Sequence, residues 1–164
     1  MNSTILKAVT ICAVATTGGV AATSANAATA TAPAFAKIYS QVTVINTSDL
    51  EFGTIVTAAS PSVVDVSTAG ARTCGAGLAC LGTSSAADFI VGGSSGQVTT
   101  ISVPASVTLT SGTNSMFALL NPTNAVLTLV ANAGTFSIGG TLLVGGAQAE
   151  GTYTGSFTAT VNYQ

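Results

Sequence analysis

The sequence predicts an all-β domain of many short strands, arranged as a sandwich or barrel. From Lys37 onward, short runs rich in Val, Ile, Thr, Leu and Phe recur between clusters of Gly, Asn, Ser and Pro, which is the spacing of strands separated by tight turns. Several runs alternate strictly, as in Val42-Thr43-Val44 and Val107-Thr108-Leu109, so one face is buried and the other is wetted by hydroxyls. After residue 27 no segment carries the apolar stripe of an amphipathic helix.

At the N-terminus, Lys7 precedes the apolar run Ala8, Val9, Ile11, Cys12, Ala13, Val14 and Ala15, which leads through small residues to Ala25-Asn26-Ala27. Charge, short apolar core and A-x-A site in that order describe a secretory signal peptide over residues 1–27, cleaved after Ala27 to leave Ala28 first. The apolar core stops near Thr16-Thr17-Gly18-Gly19, well short of the roughly 20 residues that a membrane-spanning helix needs. No transmembrane segment is therefore expected after signal removal. Residues 28–36 are Ala, Thr and Pro around a single Phe35, an extended or disordered arm. Residues 37–164 are long enough for one domain with its own core.

Within that domain the strand candidates are residues 38–45, 50–56, 63–66, 88–91, 98–103, 107–110, 115–120, 125–130, 135–138, 141–144 and 152–163. The clusters Gly92-Gly93-Ser94-Ser95-Gly96, Gly139-Gly140 and Gly145-Gly146 read as hairpin turns that need positive φ. A phosphate-cradling loop would need a following helix, which the pattern lacks.

Charge is scarce: 3 Lys and Arg, 5 Asp and Glu, and no His in 164 residues, against about 25% charged residues in ordinary domains. Little electrostatic repulsion then opposes strand-to-strand association, and a basic footprint for nucleic acid is missing. Cys12 leaves with the signal, so the exported chain keeps Cys74 and Cys80. In an oxidising compartment this pair reads as a small disulfide loop, worth on the order of 2 kcal/mol by loop entropy. Two cysteines without histidine cannot make the usual four-ligand soft-metal site, and no cofactor is expected.

The end of the chain carries the strongest pattern. Gly151, Tyr153, Gly155, Phe157, Ala159, Val161 and Tyr163 fall on one face, with Thr152, Thr154, Ser156, Thr158, Thr160 and Asn162 on the other, a strand well beyond the usual five or six residues. The ending Gly-x-Tyr-x-Gly-x-Phe-x-Ala-x-Val-x-Tyr-Gln is similar to the C-terminal strand of chaperone-usher pilins, with Gly151 fourteenth from the end and Tyr163 penultimate. The segment Leu50-Glu51-Phe52-Gly53-Thr54-Ile55, the Gly-rich hairpin before residues 98–104, and Ser106-Val107-Thr108-Leu109-Thr110 resemble the exported bacterial family DUF4402, a relative in style of spore coat U and fimbrial domains.

The pilin resemblance implies an immunoglobulin-like β-sandwich that lacks one strand and is completed by a donor strand. It further implies a secreted structural subunit of a cell-surface fimbria, filament or coat, acting in assembly, adhesion and biofilm cohesion. The implied partners are copies of itself or related subunits, a periplasmic chaperone and an outer-membrane usher, through β-strand addition. Two features depart from the pilin pattern. Placing Phe35 on a donated face puts Ala30, Ala32, Ala34 and Ala36 on the other, and Cys74 and Cys80 stand closer together than the pilin disulfide. A plain closing strand in a complete sandwich is the alternative for residues 151–164.

Enzyme chemistry has little support. Without histidine, Ser-His and Cys-His pairs are impossible and the commonest general base is gone. Asp49 and Glu51 lie two apart and could share a strand face, as in a glycosidase or calcium site; as a strand entrance they need no such role. Asn46-Thr47-Ser48 matches a glycosylation sequon. The aromatics fall mostly on apolar periods, as core packing requires. The competing functions are a monomeric adhesin or carbohydrate-binding module using the loop between Cys74 and Cys80, and a small outer-membrane barrel. The barrel expects aromatic girdles and a terminal aromatic, whereas Gln164 is last.

Overall fold

The structure is a computed structural model that describes residues 27–164. The chain divides into two units, Met1–Ala36 and Lys37–Gln164. In the first, residues 27–36 have no regular secondary structure and are exposed. The leader reading, Ala25 included, lies outside the described residues, while Ala27 and Ala28 are exposed.

The second unit is all-β. Its strands are β1 (Thr43–Ser48), β2 (Thr54–Val56), β3 (Ser62–Val66), β4 (Arg72–Cys74), β5 (Ala79–Leu81), β6 (Ala87–Gly92), β7 (Val98–Ser102), β8 (Ser106–Ser111), β9 (Asn114–Pro122), β10 (Val126–Thr128), β11 (Ala133–Val144) and β12 (Thr160–Tyr163). No helix occurs among the described residues, and none is long and apolar enough to cross a membrane. Every ladder is antiparallel.

β11 is the spine. One edge of it pairs β6 over Ala133–Ile138 and then β3 over Gly140–Val144, while the other edge pairs β9 from Ile138 to Leu143. With β1 beside β6, β4 beside β3 and β8 beside β9, this makes a curled seven-stranded sheet. A three-stranded sheet, β10-β7-β12, and a two-stranded one, β2-β5, complete the fold.

The period-two pattern explains what each sheet buries. On β6, Ala87, Phe89 and Val91 point inward while Asp88 and Ile90 do not; on β9, Met116, Ala118 and Leu120 are buried while Phe117 and Leu119 are exposed. Two core clusters result. The first joins Phe89, Val91, Ile101, Leu129, Phe136, Ile138 and Val161, with Phe89 and Phe136 directly opposite across the ladder and their rings stacked 4.9 Å apart. The second joins Phe52, Val64, Val66, Met116, Leu142 and Val144, with Ile55 and Cys80 of the β2-β5 pair and Leu78 just before β5 packed on it.

The three expected hairpin turns are corrected. Gly139-Gly140 is not a hairpin: it sits inside the continuous β11 without positive φ, and residues 135–138 and 141–144 form one strand. Small residues are needed there for proximity instead. A Cβ on Gly139 would meet the Val66 carbonyl and stand 2.8 Å from Ser67, and one on Gly140 would stand 3.0 Å from Leu50 and 3.1 Å from Phe52. At Gly145-Gly146 the positive φ falls on Ala147. Gly112 does use glycine this way, at φ 59 in the two-residue hairpin from β8 to β9; in the cluster Gly92-Gly93-Ser94-Ser95-Gly96 positive φ falls on Gly96 (φ 75), but that segment links β6 to β7 in different sheets and so forms no hairpin.

Candidate assembly edge

The chain switches sheets between β7 and β8. β7 belongs to the three-stranded sheet and β8 to the curled one, and Pro104 lies in the three-residue crossing, where it has no N–H to offer a ladder. The C-terminal segment runs antiparallel along this line. Thr154 pairs with Thr110 of β8 (N···O 2.9 and 3.1 Å), and β12 pairs with β7 from Thr160↔Ser102 to Tyr163↔Thr99. Residues 155–159 therefore face the longer stretch 103–109, and the register cannot be held across the crossing.

The expected long strand is thus corrected to two paired ends and an unpaired middle. Among the described residues, 155–159 make no backbone–backbone hydrogen bond, and only Thr160–Tyr163 forms a regular ladder. The alternation survives nonetheless: Val161 is buried, Tyr153, Phe157, Ala159 and Tyr163 are half-buried, and Thr152, Thr154, Ser156, Thr158, Thr160 and Asn162 are exposed. Gly155 is exposed too, although a Cβ there would meet the Thr108 carbonyl and stand 3.2 Å from Val107, and Gly151 bends the chain at φ 154 beside Ser111. Phe157, Ala159 and Tyr163 pack on the first core cluster, as do Val42 and Val44. Among the described residues, β12 pairs only β7, and β1 pairs only β6. Two sheet edges thus remain open over one apolar core, with Val42, Val44, Phe157 and Ala159 beneath.

At the Tyr163 end the two margins are linked by side chains. The Tyr163 hydroxyl donates to the Ser40 carbonyl (2.8 Å) and accepts from the Ser94 N–H (2.7 Å), while the Ser40 N–H donates to Ser94 Oγ (2.8 Å). A cavity of about 460 Å³ lies here, lined by Tyr39, Ser40, Gln41, Val42, Val161, Asn162 and Tyr163.

The remaining candidates make structural contacts. Cys74 and Cys80 form a disulfide joining β4 to β5, two strands of three residues each, too short to stand out in the sequence. Arg72 on β4 donates to the carbonyls of Phe52 (2.9 Å), Leu81 (3.0 Å) and Gly82 (3.1 Å), tying the same pair down; acceptors in two segments distant in sequence from Arg72 left no local signal. Asp49 and Glu51 are exposed and act through their backbones: Glu51 pairs with Ser85, and the Asp49 carbonyl accepts from Ser85 Oγ at 2.7 Å. The Asp65 carboxylate accepts from Thr141 (2.7 Å) and that of Asp88 from Ser137. The Asn46 amide donates to the Ser48 carbonyl (2.8 Å). Among the aromatics, Phe52, Phe89 and Phe136 are buried, but Phe35 and Phe117 are exposed.

The profile of the domain of unknown function DUF4402 matches residues 42–163, and the chain belongs to that family. No curated protein and no solved structure matches it.

Proposed function

We propose that the chain is a secreted structural subunit of a cell-surface fimbria, filament or coat, which joins copies of itself or related subunits by adding a strand at its C-terminal edge. The observation that carries this reading is the unpaired stretch 155–159, with Phe157 and Ala159 half-buried on a core that is also bordered by β1, an open edge among the described residues. Unpaired backbone over apolar side chains is the combination that an added strand satisfies, through ladder hydrogen bonds and side-chain burial together. Covering four or five side chains of a donor strand would contribute on the order of 10 kcal/mol before ordering costs. On this reading the fold is an immunoglobulin-like sandwich lacking one strand.

The leader pattern and the near absence of charge support the same conclusion. Export through the periplasm would bring a chaperone to the open edge first and an outer-membrane usher next, and no catalytic role is assigned. The test is electron microscopy of sheared cell-surface material with and without this protein, and again after deleting residues 28–36. Filaments that depend on the protein are expected. Filaments that persist after the deletion would show that the arm is not the donor, and a monodisperse, glycan-binding monomer would replace the reading with that of an adhesin.

A further inference from the structure

We propose that residues 37–42 form a strap that covers the β12 edge and must lift before that edge takes up a strand, an inference that rests on the assembly reading above. These residues precede β1 and make no backbone–backbone hydrogen bond among the described residues. Ser40 is held instead by two hydrogen bonds, from Tyr163 Oη to its carbonyl and from its N–H to Ser94 Oγ, and the Ser94 N–H in turn donates to Tyr163 Oη. The Tyr39 ring leans on that of Tyr163, with centroids 5.4 Å apart, and Lys37 Nζ lies 4.9 Å from the centre of the Tyr39 ring.

The strap is close without being docked. A ladder would bring the two backbones together, whereas here the 460 Å³ cavity lies against residues of both. The position is set from below by Gly93, where a Cβ would stand 2.5 Å from Tyr163 Oη and 2.7 Å from Leu129, so only a residue without a side chain lets the hydroxyl reach Ser94. Two hydrogen bonds to Ser40 and a ring contact form a latch weak enough to exchange. An incoming strand supplies the backbone partners that the strap withholds, so the latch keeps the free subunit from joining too readily.

The test uses the full chain with Tyr163→Phe and, separately, Ser94→Ala. The first keeps the ring over the core and the second changes one atom, so both retain the fold. Amide hydrogen exchange at Ser40 reports the latch, and light scattering reports the rate of self-association. Both variants are expected to exchange faster at Ser40 and to associate roughly tenfold faster, the loss of about one hydrogen bond from the closed state. Faster exchange at Ser40 with an unchanged association rate overturns the strap and leaves the edge reading intact. Association that persists unchanged in a folded Phe157→Ser variant, or no association by any of the chains, overturns the edge reading itself and the strap with it.

Discussion

At the scale of single residues, the charged side chains whose partners are visible are spent on structure. Arg72 spans three carbonyls from two segments, a task that suits a planar fork of donors and not a single ammonium. Arg72→Lys should therefore behave much like Arg72→Ala, each lowering unfolding free energy by about 2 kcal/mol in urea titration. A lysine variant as stable as the wild type would show that charge alone matters there. Reducing the disulfide between Cys74 and Cys80 should cost a similar amount, about 2 kcal/mol. Because Cys80 packs on the second core cluster while the open edge lies over the first, the reduced protein should still associate, which light scattering in reductant would check.

Among the elements, β11 and the C-terminal segment make opposite use of length. β11 stays continuous because Gly139 and Gly140 let Val66, Leu50 and Phe52 come close at the point where its partner changes from β6 to β3. Gly139→Val should thus force the strands apart and lower stability by about 1–3 kcal/mol, seen as a lower thermal midpoint. The C-terminal segment loses its ladder where the chain facing it crosses between sheets at Pro104. Isotope-edited amide exchange should show fast protons across 155–159 between slower ones at Thr154 and in β12. Uniform protection along 152–163 would mean that the ladder is already complete.

For the molecule as a whole, low charge and exposed apolar side chains act together. The formal charge is −2 at pH 7, and Val63, Phe117, Leu119 and Leu143 are each at least two-fifths exposed on neighbouring strands of the curled sheet. Association driven by burial and backbone pairing should barely respond to ionic screening. The light-scattering rate is expected to change by less than about twofold between roughly 0.05 M and 0.5 M sodium chloride, whereas electrostatically steered encounters slow steeply over such a range.

The alternation that orients Tyr153, Phe157, Ala159, Val161 and Tyr163 toward the core was legible from residue order alone, as were the all-β class, the family and the cysteine pair, because period-two patterning and composition are local properties of the chain. Folding was needed to show which edges stay open, where β12 begins, that Gly139-Gly140 lies within a strand, and that Tyr163 reaches Ser40 and Ser94. These outcomes depend on pairings between residues far apart in the chain, where a proline crossing or a missing Cβ tips the balance, and no nearby residue signals them.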